Sequence, residues 1–313
     1  IENKNNAVKK VMPGYEVFLE NENKFHTLQN VGLVINHTSG IVNIDPILNK
    51  IDLKIKNMDV DIIFTPEHGL SNNFQAGEKI NDNDEYNIPI VSLYGENLKP
   101  TNTQLTNLDA IIFDIQDIGS RYYTYISTMT MVMEACAENN IPFYILDRPN
   151  PISGKVEGPI LDSKYASFVG MHPILIRHGM TIGELGYMIN EQSWLNQGIK
   201  AKLYIVKMNG WERNMFFEDT QIKWIEPSPN IQNNNTAFVY NGICLLEGTN
   251  LSEGRGTQFP FLQIGAPWLE AQKIVDYLNK ENLSGVKFHY IDFTPKSIPS
   301  KSLFPKYKNK KCK

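Results

Sequence analysis

The run Val60-Asp61-Ile62-Ile63-Phe64-Thr65-Pro66-Glu67-His68-Gly69 decides how this chain is read. Its apolar part is too short for a helix and is bounded by polar residues, so it reads as a buried parallel strand. Pro66 has no N–H to give to a ladder and ends it. In an open α/β sheet the carboxyl end of a strand borders the ligand crevice, which places Glu67 and His68 there. The plainer reading of Glu67 is a solvated loop carboxylate.

Working outward, the neighbouring segments repeat the pattern. Val31 to Ile35, Ile88 to Leu93, Leu108 to Ile115 and Ile141 to Leu146 are apolar strands. Each ends in polar residues: His37 after the first, Glu96 after the second, Asp114, Gln116 and Asp117 after the third, Asp147 and Arg148 after the fourth. Ile44 to Ile55 carries helical spacing, and Tyr125 to Asn139 reads as a helix with Met129, Val132, Met133 and Cys136 on one face. Such alternation predicts a parallel sheet with helices on both faces. Parallel topology then brings the polar strand ends to one rim.

After Pro151 the loops lengthen, so a domain boundary is expected there, dividing the chain into 1–150 and 151–313. In the second part Thr181-Ile182-Gly183-Glu184 is a capping box opening a helix to about Glu191. Ala201 to Met208, Phe238 to Leu246 and Val286 to Phe293 read as strands, and Pro267 to Asn279 as an amphipathic helix.

Bulk properties narrow the function. The 313 residues are 42% hydrophobic, enough for one large core or two smaller ones. A formal charge of -4 and a pI near 5.9 argue against a nucleic-acid surface. The basic run Lys306 to Lys313 reads as a solvated tail. Cys136, Cys244 and Cys312 fit no zinc pattern and read as unpaired thiols. No apolar run approaches the ~20 residues of a membrane span. The chain begins at Ile1 with no visible signal segment, and truncation at either end is expected. It has no GxxxxGK[ST], no GxGxxG between strand and helix, and no GxSxG elbow.

The chemistry that remains is carboxylate chemistry. Two carboxyl groups, one protonated and one ionised, can hydrolyse a glycoside, and their separation decides the route. Glu67 is the first candidate, with Glu78 and Glu157 as the other glutamates in glycine-bearing turns. Glu78 could equally pair with Lys79 at the surface, and Glu157 could be a loop carboxylate bonded to backbone. His37, His68, Asp114 and Asp117 could instead hold a metal, although their spacing fits no standard motif. His178 could orient substrate or simply precede a helix. The cations are mostly lysine; the five arginines, Arg121, Arg148, Arg177, Arg213 and Arg255, suggest planar forks for a carboxylate, or structural staples. Tyr122, Tyr123 and Tyr125, with Trp211, Trp224 and Trp268, could offer aromatic faces to sugars, or pack in a core.

Eight ordered motifs then resemble the exo-β-N-acetylmuramidase family NamZ. They are Thr65-Pro66-Glu67-His68-Gly69, Gln75-Ala76-Gly77-Glu78, Ser92-Leu93-Tyr94-Gly95, Phe113 to Gly119, Arg121-Tyr122-Tyr123-Thr124-Tyr125, Leu146 to Pro151, Val156-Glu157-Gly158-Pro159, and Glu247 to Thr257. The resemblance implies a Rossmann-like parallel sheet flanked by helices, a second smaller α+β domain, and an active cleft between them. It implies release of N-acetylmuramic acid from the non-reducing ends of peptidoglycan fragments, with no metal or other cofactor and no nucleic-acid partner. On this reading Glu67 leads the catalytic set, Glu78 and Glu157 compete for the second role, and the split between acid, nucleophile and base stays open. Substrate contacts fall to His68, Asp114, Gln116, Asp117, Arg121, Tyr123, Asp147, Arg148, Arg177, His178, Asn250, Glu253 and Arg255. The lactyl carboxylate of muramic acid would give the arginines their purpose. An extracytoplasmic location is implied as well. Two departures stand out: Asn72-Asn73-Phe74 follows the histidine-glycine turn, and the family's C-terminal segment is expected to continue past Lys313. The rival readings are a metal-dependent hydrolase on the same sheet and a non-catalytic sugar-binding module.

Overall fold

The structure is a computed structural model and describes residues 10–45, 50–70 and 87–313. In chain order its elements are α1 (Gly14–Glu20), β1 (Asn30–Ile35), β2 (Val42–Asp45), β3 (Lys50–Leu53), β4 (Asp59–Thr65), β5 (Ile90–Ser92), α2 (Asn102–Leu105), β6 (Ala110–Asp114), α3 (Tyr125–Glu138) and β7 (Phe143–Leu146). There follow β8 (Glu157–Ile160), β9 (Leu175–Arg177), α4 (Ile182–Glu191), β10 (Leu203–Val206), α5 (Asn234–Ile243) and α6 (Ala271–Lys280).

Six strands form the main sheet, in the order β10-β7-β6-β1-β4-β5, and every pair in it is parallel. Leu33, Ile63, Ile112 and Ile145 are fully buried, as expected of strands covered on both faces. The order reverses between β1 and β6, the topological switch point where crevices open in sheets of this kind. All five strands expected before Pro151 are present, and β4 ends at Thr65, directly before Pro66. α4 opens with the expected capping box, Thr181 and Glu184 each accepting the other's backbone N–H.

Four expectations fail for identifiable reasons. Ile44 to Ile55 is not a helix: Val42 pairs with Leu53 and Ile44 with Ile51 in an antiparallel hairpin, a period of two mistaken for 3.6. Phe238 to Leu246 lies mainly in a helix, α5, whose start is fixed by Asn233 accepting the Thr236 N–H at 2.9 Å. Val286 to Phe293 forms no strand; Phe293 alone makes an isolated bridge, to Cys312. The break expected at Pro151 is not where the chain divides, since β10 joins the main sheet. The two compact units are Ile1–Ser228 and Pro229–Lys313.

The second unit holds α5, α6 and isolated bridges. Its last residues are not a solvated tail. The Lys306 ammonium donates to the carbonyls of Leu246 (3.3 Å), Glu247 (2.9 Å), Thr249 (2.9 Å) and Leu251 (3.1 Å), closing the loop after α5 around itself. Tyr307 donates to the Asn250 carbonyl at 2.6 Å.

Candidate active site

The carboxyl ends of β1, β4, β6 and β7 build the rim of the first unit. Past β4, Glu67 is buried, 7% exposed, and its Oε2 accepts the Thr124 hydroxyl at 2.7 Å. The Tyr94 phenol, from the segment after β5, hydrogen-bonds the same carboxylate; burial and that negative charge push its pKa up, so it remains a protonated donor. Glu67 is thus held by two hydroxyls from different elements. His68, next to it, is buried with φ +72°, a left-handed turn that aims consecutive side chains apart.

Past β1, His37 gives its Nε2 proton to the Glu226 carbonyl at 2.6 Å, which leaves Nδ1 as the lone-pair nitrogen. That Nδ1 is buried without a hydrogen-bond partner. Burial, with a smaller contribution from the nearby His68, lowers the His37 pKa to about 4, so the ring is neutral at pH 7. Neither Thr124 nor Tyr94 was singled out from the sequence as a partner of Glu67. The only signal was that each lies within a motif at the foot of an apolar run.

Several residues expected to touch substrate also fasten the structure. Asp114 Oδ2 accepts from Ser39 Oγ (2.8 Å), Gly40 N (2.6 Å) and Ile41 N (3.2 Å), while Oδ1 takes Arg148 Nε at 2.7 Å and Nη2 at 2.6 Å. Arg148 also caps the Thr38 carbonyl and lies over the Tyr15 ring, so the pair ties β1, β6, β7 and α1 together. Asp147 holds the start of α4 through Gly183 N (2.8 Å) and Thr181 Oγ1 (2.9 Å), and burial raises its pKa to about 6. Gln116 donates to the carbonyls of Asp117 and Pro149.

The arginine forks are likewise taken. Arg121 reaches the carbonyls of Pro159 and Ile174, both at 2.7 Å. Arg177 pairs with Glu157 at 2.7 Å and also reaches Ile152 and Ser153. Arg213 pairs with Glu184, and in the second unit Arg255 pairs with Glu247 and Glu253. Asn250, also there, is exposed and contributes its carbonyl to Tyr307. Of the competing glutamates, Glu157 is 64% exposed in its ion pair on β8, and Glu78 lies outside the described residues. The Tyr123 ring is buried edge-on against Tyr125, at 4.7 Å between centroids.

Two expected contacts, Asp117 and His178, lie together and keep unmatched polar atoms. His178 accepts the Met180 N–H at Nδ1 (3.3 Å), which directs Nε2 to Asp117 Oδ2 at 3.5 Å. Asp117 Oδ1 is buried with no hydrogen-bond partner. The metal set His37, His68, Asp114 and Asp117 is not assembled. Asp114 already accepts four hydrogen bonds and pairs with Arg148, and no group of three His, Cys, Asp or Glu able to hold a metal occurs among the described residues.

Around the switch point opens a cavity of about 670 Å³, lined by the β1 loop from His37 to Gly40, Gln116, Arg148, α1, the β2–β3 hairpin and the segment Phe217 to Ile225. His37 lines this cavity and lies near His68, the residue that follows Glu67.

Fold and rim together define a Rossmann-like α/β protein with a carboxylate-centred site at the carboxyl ends of its strands. Comparison with known proteins makes this particular. The descriptions "Exo-beta-N-acetylmuramidase NamZ, N-terminal" and "C-terminal" match residues 31–235 and 238–313, and the chain belongs to this family. It is 43% identical over 301 residues to the peptidoglycan beta-N-acetylmuramidase NamZ of Bacillus subtilis (strain 168), covering 94% of this chain and 71% of that protein. Two crystal structures of DUF1343 family proteins from Bacteroides fragilis NCTC 9343 superpose on it. One has TM-score 0.81 and 36% identity, covering 97% of this chain and 76% of the other; the second has 0.75 and 34%, covering 97% and 75%.

Proposed function

We propose that this protein is an exo-β-N-acetylmuramidase, a glycoside hydrolase that removes N-acetylmuramic acid from the non-reducing end of peptidoglycan fragments. The observation that carries the reading is the buried Glu67, held by Thr124 and Tyr94 at the end of β4, in a chain of this family from residue 31 to 313. Such a carboxylate, fixed in one rotamer and shielded from water, can stabilise an oxocarbenium-like transition state, accept a proton or attack the anomeric carbon. A second carboxyl group completes the chemistry. Glu78 and Glu157 compete for that role, and the ion pair of Glu157 with Arg177 weakens its claim. The Asp117–His178 pair, with an open acceptor at Oδ1, suits a sugar hydroxyl. The substrate lies outside the cytoplasmic membrane, and the same reading assigns the protein an extracytoplasmic place of work.

The test is release of N-acetylmuramic acid from a muramyl-glucosamine disaccharide. Wild-type protein releases it, and Glu67→Gln, which keeps shape and loses the charge, lowers kcat by at least about 10³. A fully active Glu67→Gln protein would remove this residue from the chemistry.

A further inference from the structure

An acidic sugar needs a cation to read it, and the five arginines are all engaged within the chain. The cavity at the switch point offers other candidates. Its volume of about 670 Å³ falls within the ~300–1,000 Å³ of small-molecule sites, and its position is where open α/β sheets bind ligands. Four cationic side chains line it, Lys10, Lys54, Lys223 and Arg148, against one carboxylate, Glu16. Arg148 is held by Asp114, and Lys10 pairs with Glu16 at 3.3 Å. Lys54 gives one of its three protons to the Gly40 carbonyl at 2.8 Å.

We propose that this cavity is a carboxylate-recognition subsite, in which Lys54 and Lys223 select peptidoglycan sugars bearing an acidic group over their neutral counterparts. The inference rests on the muramidase reading for its ligand class and on the cavity for its place. Ile44, Ile222 and Ile225 provide an apolar wall for a sugar face or a lactyl methyl, beside the two ammonium groups. His37 links the subsite to the reacting bond: it lines the cavity and neighbours His68, which adjoins Glu67. A sugar seated with its acidic group toward the lysines would extend past His37 toward the Glu67 carboxylate. Lysine rather than arginine at this position makes recognition a matter of point charge, and so sensitive to salt.

Binding is measured by calorimetry for N-acetylmuramic acid, N-acetylglucosamine and N-acetylmuramoyl dipeptide, on wild-type protein and on Lys54→Ala, Lys223→Ala and the double variant. Release kinetics are run in parallel on chromogenic muraminide and glucosaminide. Wild-type protein prefers the acidic sugar, each single variant reduces that preference about tenfold through KM and Kd, and added salt does the same. Lys273→Ala, at an exposed ion pair on α6, is the control and leaves it unchanged. The dipeptide, whose lactyl carboxyl is an amide, tells a lactyl from a peptide carboxylate. Preference for either acidic ligand, lost in Lys223→Ala, supports the subsite. Wild-type protein that binds neutral and acidic sugars equally, or a double variant with undiminished preference, overturns it. If wild-type protein releases nothing yet still binds the acidic sugar through these lysines, the muramidase reading fails and the subsite stands.

Discussion

Thr124 and Tyr94 grip one carboxylate, and their hydroxyls are what separates Glu67 from an ordinary loop glutamate. Removing one, in Tyr94→Phe or Thr124→Ala, frees the carboxylate to turn and is expected to lower kcat about tenfold with KM little changed. A kcat loss matched by an equal loss of folded protein in denaturant unfolding would assign these hydroxyls to folding alone. The rim was legible in the sequence because apolar runs ending in acids and histidines show directly along the chain. The partners were not. Asp114 meets Arg148 from 34 residues away and Thr124 meets Glu67 from 57, and no local pattern says which polar residue will satisfy which. Residue type likewise did not reveal what the arginines hold within the chain: a planar fork reaches backbone carbonyls as well as carboxylates.

At the level of elements, the main sheet was readable because strands covered on both faces are continuously apolar. The β2–β3 hairpin was not, since Ile47, Leu48, Ile51 and Ile55 satisfy a helical spacing by coincidence. The loop closed by Lys306 was invisible for another reason. A lysine near a chain end reads as solvated, whereas here it replaces water for four carbonyls in the residues from Leu246 to Leu251. Lys306→Met keeps the stem and deletes the donors, and is expected to destabilise the second unit by about 1–3 kcal/mol. Urea unfolding followed by Trp268, which donates to Tyr307, would report it; an unchanged midpoint would mean that solvent satisfies these carbonyls equally well.

Over the whole molecule, buried ionisable groups set the response to acid. His37 and His172 both fall from 6.5 to about 4 through burial. Their contribution to stability is complete above pH 6.5 and is lost as pH drops toward 4, up to ~3 kcal/mol each. Asp147 runs the other way: raised from 3.8 to about 6, it adds stability below pH 3.8 that disappears as pH rises through 6. Two histidines outweigh one aspartate, so between pH 7 and 4.5 these groups together lower the unfolding free energy by roughly 3 kcal/mol. Denaturant midpoints across that range would show it, and His172→Gln would flatten the curve.

The strand order also has a bearing on biosynthesis. β1 is made first and ends at the centre; β4 and β5 then extend one side, and β6, β7 and β10 the other, each in order of synthesis. Every new strand therefore joins an edge already present, and no ladder must open to admit a latecomer. The sheet can grow outward at the pace of the ribosome. Its vulnerable interval comes before β6 emerges, while the apolar edge of β1 stands open to pairing with a neighbouring nascent chain.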